Sequence, residues 1–187
     1  KIDRIYKEAG FSKDRSAYER KTYLIDITPP IEELHKGLSK KWRENLRRSQ
    51  RGLLEVYEGT SSDLYDRFIE LYKVMHKRKQ FIDYVDIFEF KRIQEQLRDD
   101  IKLHIMVCKY NGIPVSSLVW SAVGNTGVPI FSATGNEGRK LRGSYLLRWR
   151  MLERLKEQNK EYIDQGGVNK IRNPGGYQFK KGMGGEE

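Results

Sequence analysis

The stretch IKLHIMVCKYNGIPVSSLVWSAV, residues 101–123, limits the fold more than any other part of this chain. Ile101, Leu103, Ile105 and Val107 alternate with Lys102, His104, Met106 and Cys108. A period of two sends the two sets to opposite faces of a strand. Asn111-Gly112 then supplies two residues that tolerate positive φ, as a tight hairpin turn requires. IPVSSLVWSAV reads as the returning strand, and a turn at 124–127 leads to a third, VPIFSAT. Three antiparallel strands in series exclude an all-helical fold and a wholly parallel sheet.

Helical periodicity surrounds this meander. Residues 1–9 form a short helix ending at Gly10, and KTYLIDI (21–27) is a strand stopped by Pro29-Pro30. IEELHKGL continues as a helix. The next helix has Ser39 as its N-cap, Trp42 and Leu46 on one face, Gly52 at its end and a dense set of cations: Lys40, Lys41, Arg43, Arg47, Arg48 and Arg51. LLEVY (53–57) is a strand, followed by helices over 61–80, with Leu64, Phe68, Leu71, Tyr72 and Met75 in register, and over 86–97. After the meander, GSYLLRWRMLERLKEQNK places Leu147, Met151 and Leu155 on one helical face, and EYIDQ is the last strand. The glycine-rich tail reads as loop. From residue 53 the order is β, α, α, β, β, β, α, β, which implies an α/β sandwich of mixed strand direction.

A chain of 187 residues fits one domain, or one domain with part of another. Its 36 Lys and Arg against 26 Asp and Glu give a net charge of +10, which suits nucleic acid, a phosphate ligand or an acidic membrane surface, and equally a soluble protein that is simply basic. Cys108 is alone and His35, His76 and His104 are scattered, so nothing signals a disulfide or a metal. No apolar run is long enough to span a membrane, and a cytoplasmic protein is expected. There is no GxSxG elbow and no evident Ser, His and Asp set for covalent catalysis.

The element order resembles the N-acyltransferase (GNAT) fold. Three stretches resemble the FemAB-type branch, the aminoacyl (peptidyl) transferases of peptidoglycan cross-bridges, which carry two GNAT-like domains in tandem. GFSKDRSAYERKTYLIDITPPIEELHKGLSKKWRENLRRSQRGLLEV is similar to that family's passage from its first domain to its second. MHKRKQF lies where the family has an Arg and an aromatic. YIDQGG with YQFKKGMGG resembles its Asp, double Gly and Phe-Lys-Gly pattern. The resemblance implies a remnant of a first domain at 1–50 and a GNAT-like acyltransferase domain at 51–187. One departure is Leu141 in EGRKLRGSYLL, where simple acetyltransferases have a glycine that lets backbone N–H groups approach a pyrophosphate. It counts against coenzyme A. The helices at 61–80 and 86–97 are also too short for the long hairpin arm of some members.

The implied reaction joins an activated amino acid to an amine of a nucleotide- or lipid-linked peptidoglycan precursor. The donor, aminoacyl-tRNA or alternatively acyl-CoA, is a co-substrate, and no resident cofactor or metal is expected. Peripheral contact with an anionic membrane fits the charge. Lys180 is assigned to the oxyanion or a donor phosphate, with Phe179 packed along its stem. Asp164 is either the group that orients or deprotonates the amine or a cap on the Gly166-Gly167 turn, whose glycines frame the site. Arg78 and Arg142 are candidate phosphate ligands, and Tyr84 is close enough to Arg78 to share a pocket, if it is not core. Two rival readings remain: a basic RNA-binding module, and a GNAT-fold module without activity.

Overall fold

The computed structural model describes residues 2–12, 21–80 and 85–187. Along the chain these form α1 (Ile2–Glu8), β1 (Leu24–Asp26), α2 (Ile31–Gly37), α3 (Lys40–Ser49), β2 (Glu55–Gly59), α4 (Ser62–Lys79) and α5 (Ile87–Gln96). Then come β3 (His104–Tyr110), β4 (Ile113–Val123), β5 (Thr126–Thr134), α6 (Asn136–Lys140), α7 (Gly143–Glu157), β6 (Tyr162–Asp164) and α8 (Pro174–Gly182). The six strands make one mixed sheet in the order β1-β6-β5-β4-β3-β2, and only β5 with β6 is parallel. The α/β sandwich and the meander follow the sequence reading. Asn111 and Gly112 turn with φ of 50° and 75°, as the tight hairpin needs.

Helices cover both faces of the sheet, so the alternation in β3 separates two cores instead of a core from solvent. Ile105 and Val107 pack with Tyr65, Phe68, Leu71 and Met75 of α4. Met106 and Cys108 pack on the other side with Trp42 and Leu46 of α3 and with Leu147, Met151, Leu152 and Leu155 of α7. Burying each such side chain contributes about 2 kcal/mol. Ser39 caps α3 through a bond from Trp42 N, and Trp42, 2% exposed, anchors that helix as its spacing predicts.

Three sequence expectations need correction. The strand expected at 53–57 is displaced to Glu55–Gly59 by its register against β3, where Val56 faces Cys108 and Glu58 faces Met106. A five-residue helix, α6, fills what was read as loop. The tail is not loop throughout. Asn173 accepts a bond from Gly176 N and Pro174 occupies the first turn, so α8 starts despite two glycines, and Trp42 Nε1 donates to Phe179 O to hold it. Residues 21–50, which fall in the stretch read as the remnant of a first domain and its connecting helices, contribute to this sheet and core. β1 pairs with β6, and Ile25, Ile27, Leu38, Trp42 and Leu46 belong to the α7-side core.

Candidate active site

The parallel pair β5 and β6 is where the sheet opens. Their register is limited to Thr126↔Tyr162 and Gly127↔Ile163, although β5 continues to Thr134. A cavity of about 760 Å3 lies beyond, lined by the end of α4, the middle of β4, the end of β5, α6, the first two turns of α7, and α8. Six cations line it, Arg78, Lys79, Arg139, Arg142, Arg148 and Lys180, with no carboxylate among the lining residues.

Each wall has a local cause. Arg78 donates from Nη1 to Asn136 Oδ1 and from Nη2 to Thr134 O, both at 3.0 Å, tying the basic last turn of α4 to the end of β5. Gly138 and Gly143 let α6 and the start of α7 lie against β4. A Cβ on Gly138 would sit 2.1 Å from Val115 O, and one on Gly143 would sit 2.4 Å from Ser116 Oγ. Arg142, left-handed at φ 62°, connects the two helices, and its Nη1 donates to Arg139 O. The Thr134 and Ser144 hydroxyls bond at 2.7 Å across the mouth.

Lys180 projects from α8 and donates to Gly167 O at 2.8 Å and Gly166 O at 3.2 Å. Burial, reinforced by the Arg148 charge and opposed by Asp164, lowers its pKa to about 8. Arg148 is 5% exposed, and its burial lowers its own pKa as well. It donates to Gln165 Oε1 and lies over the Phe179 ring, 5.7 Å from the centroid. Phe179 also meets Tyr145 and Trp42 at 4.9 and 5.8 Å between centroids, which fixes the backbone from which Lys180 extends. Lys79 is likewise lowered by burial, then by Arg78 and Arg139. A cavity that depresses two lysines in this way favours an anion entering it.

Of the residues singled out from the sequence, Lys180, Phe179, Arg78 and Arg142 meet in this one cavity. Gly166 and Gly167 stand behind Lys180 as its carbonyl acceptors. Asp164 is not among the lining residues. Its Oδ1 accepts from Gly166 N at 2.8 Å and from the Thr22 hydroxyl, holding Gly166 at φ 71°. That is the turn-capping alternative. Tyr84 falls outside the described residues. Sequence reasoning missed Arg148, although a cation four and seven residues before the buried Leu152 and Leu155 marks an Arg on the apolar face of α7.

The family model for the acetyltransferase (GNAT) domain matches residues 40–181. This chain belongs to that family. No curated protein matches the sequence. Among solved structures, this GNAT domain is similar to FemX, with a TM-score of 0.83 and 17% identity over 99% of this chain and 65% of that one. L-PGS from Bacillus licheniformis has a TM-score of 0.61 at 15% identity, covering 91% of this chain and 51% of its own. An aminoglycoside acetyltransferase from an uncultured soil metagenomic sample has a TM-score of 0.53 at 12% identity, covering 73% and 93%. The GNAT chain thus spans less than two thirds of FemX and about half of L-PGS. At these identities the likeness establishes the fold. Among the described residues no helix is long and apolar enough to cross a membrane.

Proposed function

We propose that this chain is an acyltransferase that forms amide bonds, with Lys180 at the reacting carbonyl and the surrounding cations on an anionic donor. The observation that carries the reading is the cavity at the opening between β5 and β6, with six cations, no lining carboxylate and a desolvated Lys180. The acceptor amine, in its neutral form, attacks the donor carbonyl carbon. Negative charge develops on the carbonyl oxygen, where the Lys180 ammonium stabilises it. As the intermediate collapses, the bond to the leaving oxygen or sulfur breaks and the proton shed by the amine ends on that atom. No enzyme nucleophile takes part. Asp164 acts by positioning, since it holds the turn whose carbonyls orient Lys180.

Within that chemistry we favour aminoacyl-tRNA as donor and an amine of a nucleotide- or lipid-linked peptidoglycan precursor as acceptor, in the cytoplasm. The FemX-like fold and the Asp164, Gly166, Gly167 and Phe179-Lys180 pattern support this choice. We also take residues 1–50 as the end of a preceding GNAT-like domain with its connecting helices, and Arg78 and Arg142 as ligands of donor or acceptor phosphate. The test incubates the protein with charged transfer RNAs and candidate precursors and looks by mass spectrometry for one aminoacyl unit on the acceptor. Transfer from acetyl-CoA instead, with saturable thermal stabilisation by acetyl-CoA, sinks the aminoacyl-tRNA reading.

A further inference from the structure

Arg148 is a buried charge that the chemistry above uses only through its effect on Lys180. It is 5% exposed, lines the cavity and forms no ion pair among the described residues. Its Nη1 donates to Gln165 Oε1, and among the described residues no second acceptor meets the guanidinium. Gln165 is neutral and buried, and its Nε2 donates to Met183 Sδ at 2.9 Å, which keeps the amide oxygen turned toward the arginine. Arg78 differs, because both of its terminal nitrogens are engaged by Asn136 and Thr134. A charge taken out of water needs a partner, and a guanidinium carries five N–H donors. The fold therefore holds a desolvated fork against the cavity with its charge unmet.

The turn that holds this fork also holds Lys180. Gln165 takes Arg148 through its side chain, and the next two residues, Gly166 and Gly167, take Lys180 through their carbonyls. Phe179, the neighbour of Lys180 in α8, lies beneath the Arg148 guanidinium. The two cations thus stand side by side on one wall of the cavity. We propose that Arg148 binds a carboxylate on the carbon that bears the acceptor amine, so that the acceptor is the amine of an α-amino acid group and not a plain alkylamine. The proposal rests on the amide-forming reading above, in which Lys180 marks the reacting carbonyl. A carboxylate on the carbon next to the attacking nitrogen reaches Arg148 while that nitrogen reaches the carbonyl beside Lys180. The guanidinium accepts it with two parallel bonds, and the small open edge of the side chain suits a flat carboxylate better than a bulkier phosphate.

The test uses two synthetic tripeptides with capped N-termini that differ by one carboxylate. One ends in lysine amide. The other ends in diaminopimelate amidated at the main chain, whose side-chain amine shares its carbon with a free carboxylate. Titration calorimetry without any donor should show the diaminopimelate peptide binding at least about tenfold tighter, as a charged hydrogen-bonded pair provides. Arg148→Met should bring the affinities within about twofold of each other. Arg148→Lys, which keeps a cation in the core but loses the fork, should retain a preference of roughly threefold. Equal affinity of the two peptides for wild type, binding of neither, or a full preference in either folded variant overturns the carboxylate site. Aminoacyl transfer to both peptides at equal kcat/KM overturns that site and leaves the reaction standing. An Arg148-dependent preference in binding, with transfer to neither peptide from charged transfer RNA or acetyl-CoA, overturns the reaction and leaves the site standing.

Discussion

Lys180 is caught between burial and use. An ammonium half in solvent would keep its usual pKa, but here burial and Arg148 lower it to about 8. It is therefore still largely protonated at neutral pH and loses its charge as pH rises through about 8. If that charge stabilises the oxyanion, kcat falls on the alkaline side with a midpoint near 8. If Lys180 were the base that takes the amine's proton, kcat would instead rise through the same pH, so the sign of the limb separates the roles. Lys180→Arg keeps its charge and should carry the limb beyond about 10. Arg148→Met removes the neighbouring cation and should move the limb upward, at a cost of about 1–3 kcal/mol in stability because the buried Gln165 Oε1 loses its donor. A limb that stays at the same pH in both variants removes Lys180 from the rate-determining chemistry. Lys180→Ala should lower turnover by roughly tenfold or more with an unchanged melt.

The α6–α7 corner is the element on which the cavity depends, and its glycines act through space, not through unusual torsion. A Cβ at Gly138 meets the Ser116 hydroxyl and also the backbone carbonyl of Val115, which cannot turn aside. A Cβ at Gly143 clashes with the Ser116 side chain and with no backbone atom, and that Ser116 Oγ is buried without a partner. Gly138→Ala should thus cost about 2 kcal/mol or more, measured by urea denaturation. Gly143→Ala should cost less and be partly rescued by Ser116→Ala, which should relieve Gly138→Ala less, because the contact with Val115 O remains. Equal rescue of both would mean that the corner shifts as a body. None of this was legible in EGRKLRGSYLL, where attention fell on Leu141, because glycines that permit close packing look like those that permit a turn. The meander was legible because Asn111-Gly112 fixes its hairpin locally. α8 was not, since two glycines cost about 1 kcal/mol each in helix propensity and the contacts that offset them, from Trp42 to Phe179, span more than half the chain. The Asn173-Pro174 start was the available signal. The Phe179-Lys180 pair was found by family pattern alone, and its desolvation arises only when Arg148 and α8 meet.

At the scale of the molecule, the question is what residues 21–50 are for. They supply an edge strand, the basic helix α3, and Ile25, Ile27, Leu38, Trp42 and Leu46 to the α7-side core. Five buried side chains at about 2 kcal/mol each approach 10 kcal/mol. That equals the whole stability of an ordinary domain. The loss is compounded because Trp42 also holds α8, and with it Lys180, through Phe179. By contrast α1 has exposed side chains throughout its described part, Arg4 to Glu8, and among the described residues its side chains pair locally, Arg4 with Glu8 and Tyr6 with Phe11. A chain begun at residue 51 should therefore show no cooperative melt by circular dichroism. One begun at residue 21 should melt within about 5 °C of the full chain, a shift of about 1 kcal/mol or less. A cooperative melt from the shorter chain would mean that the sheet from β2 to β6 is a unit of its own and that α3 is docked onto a finished domain.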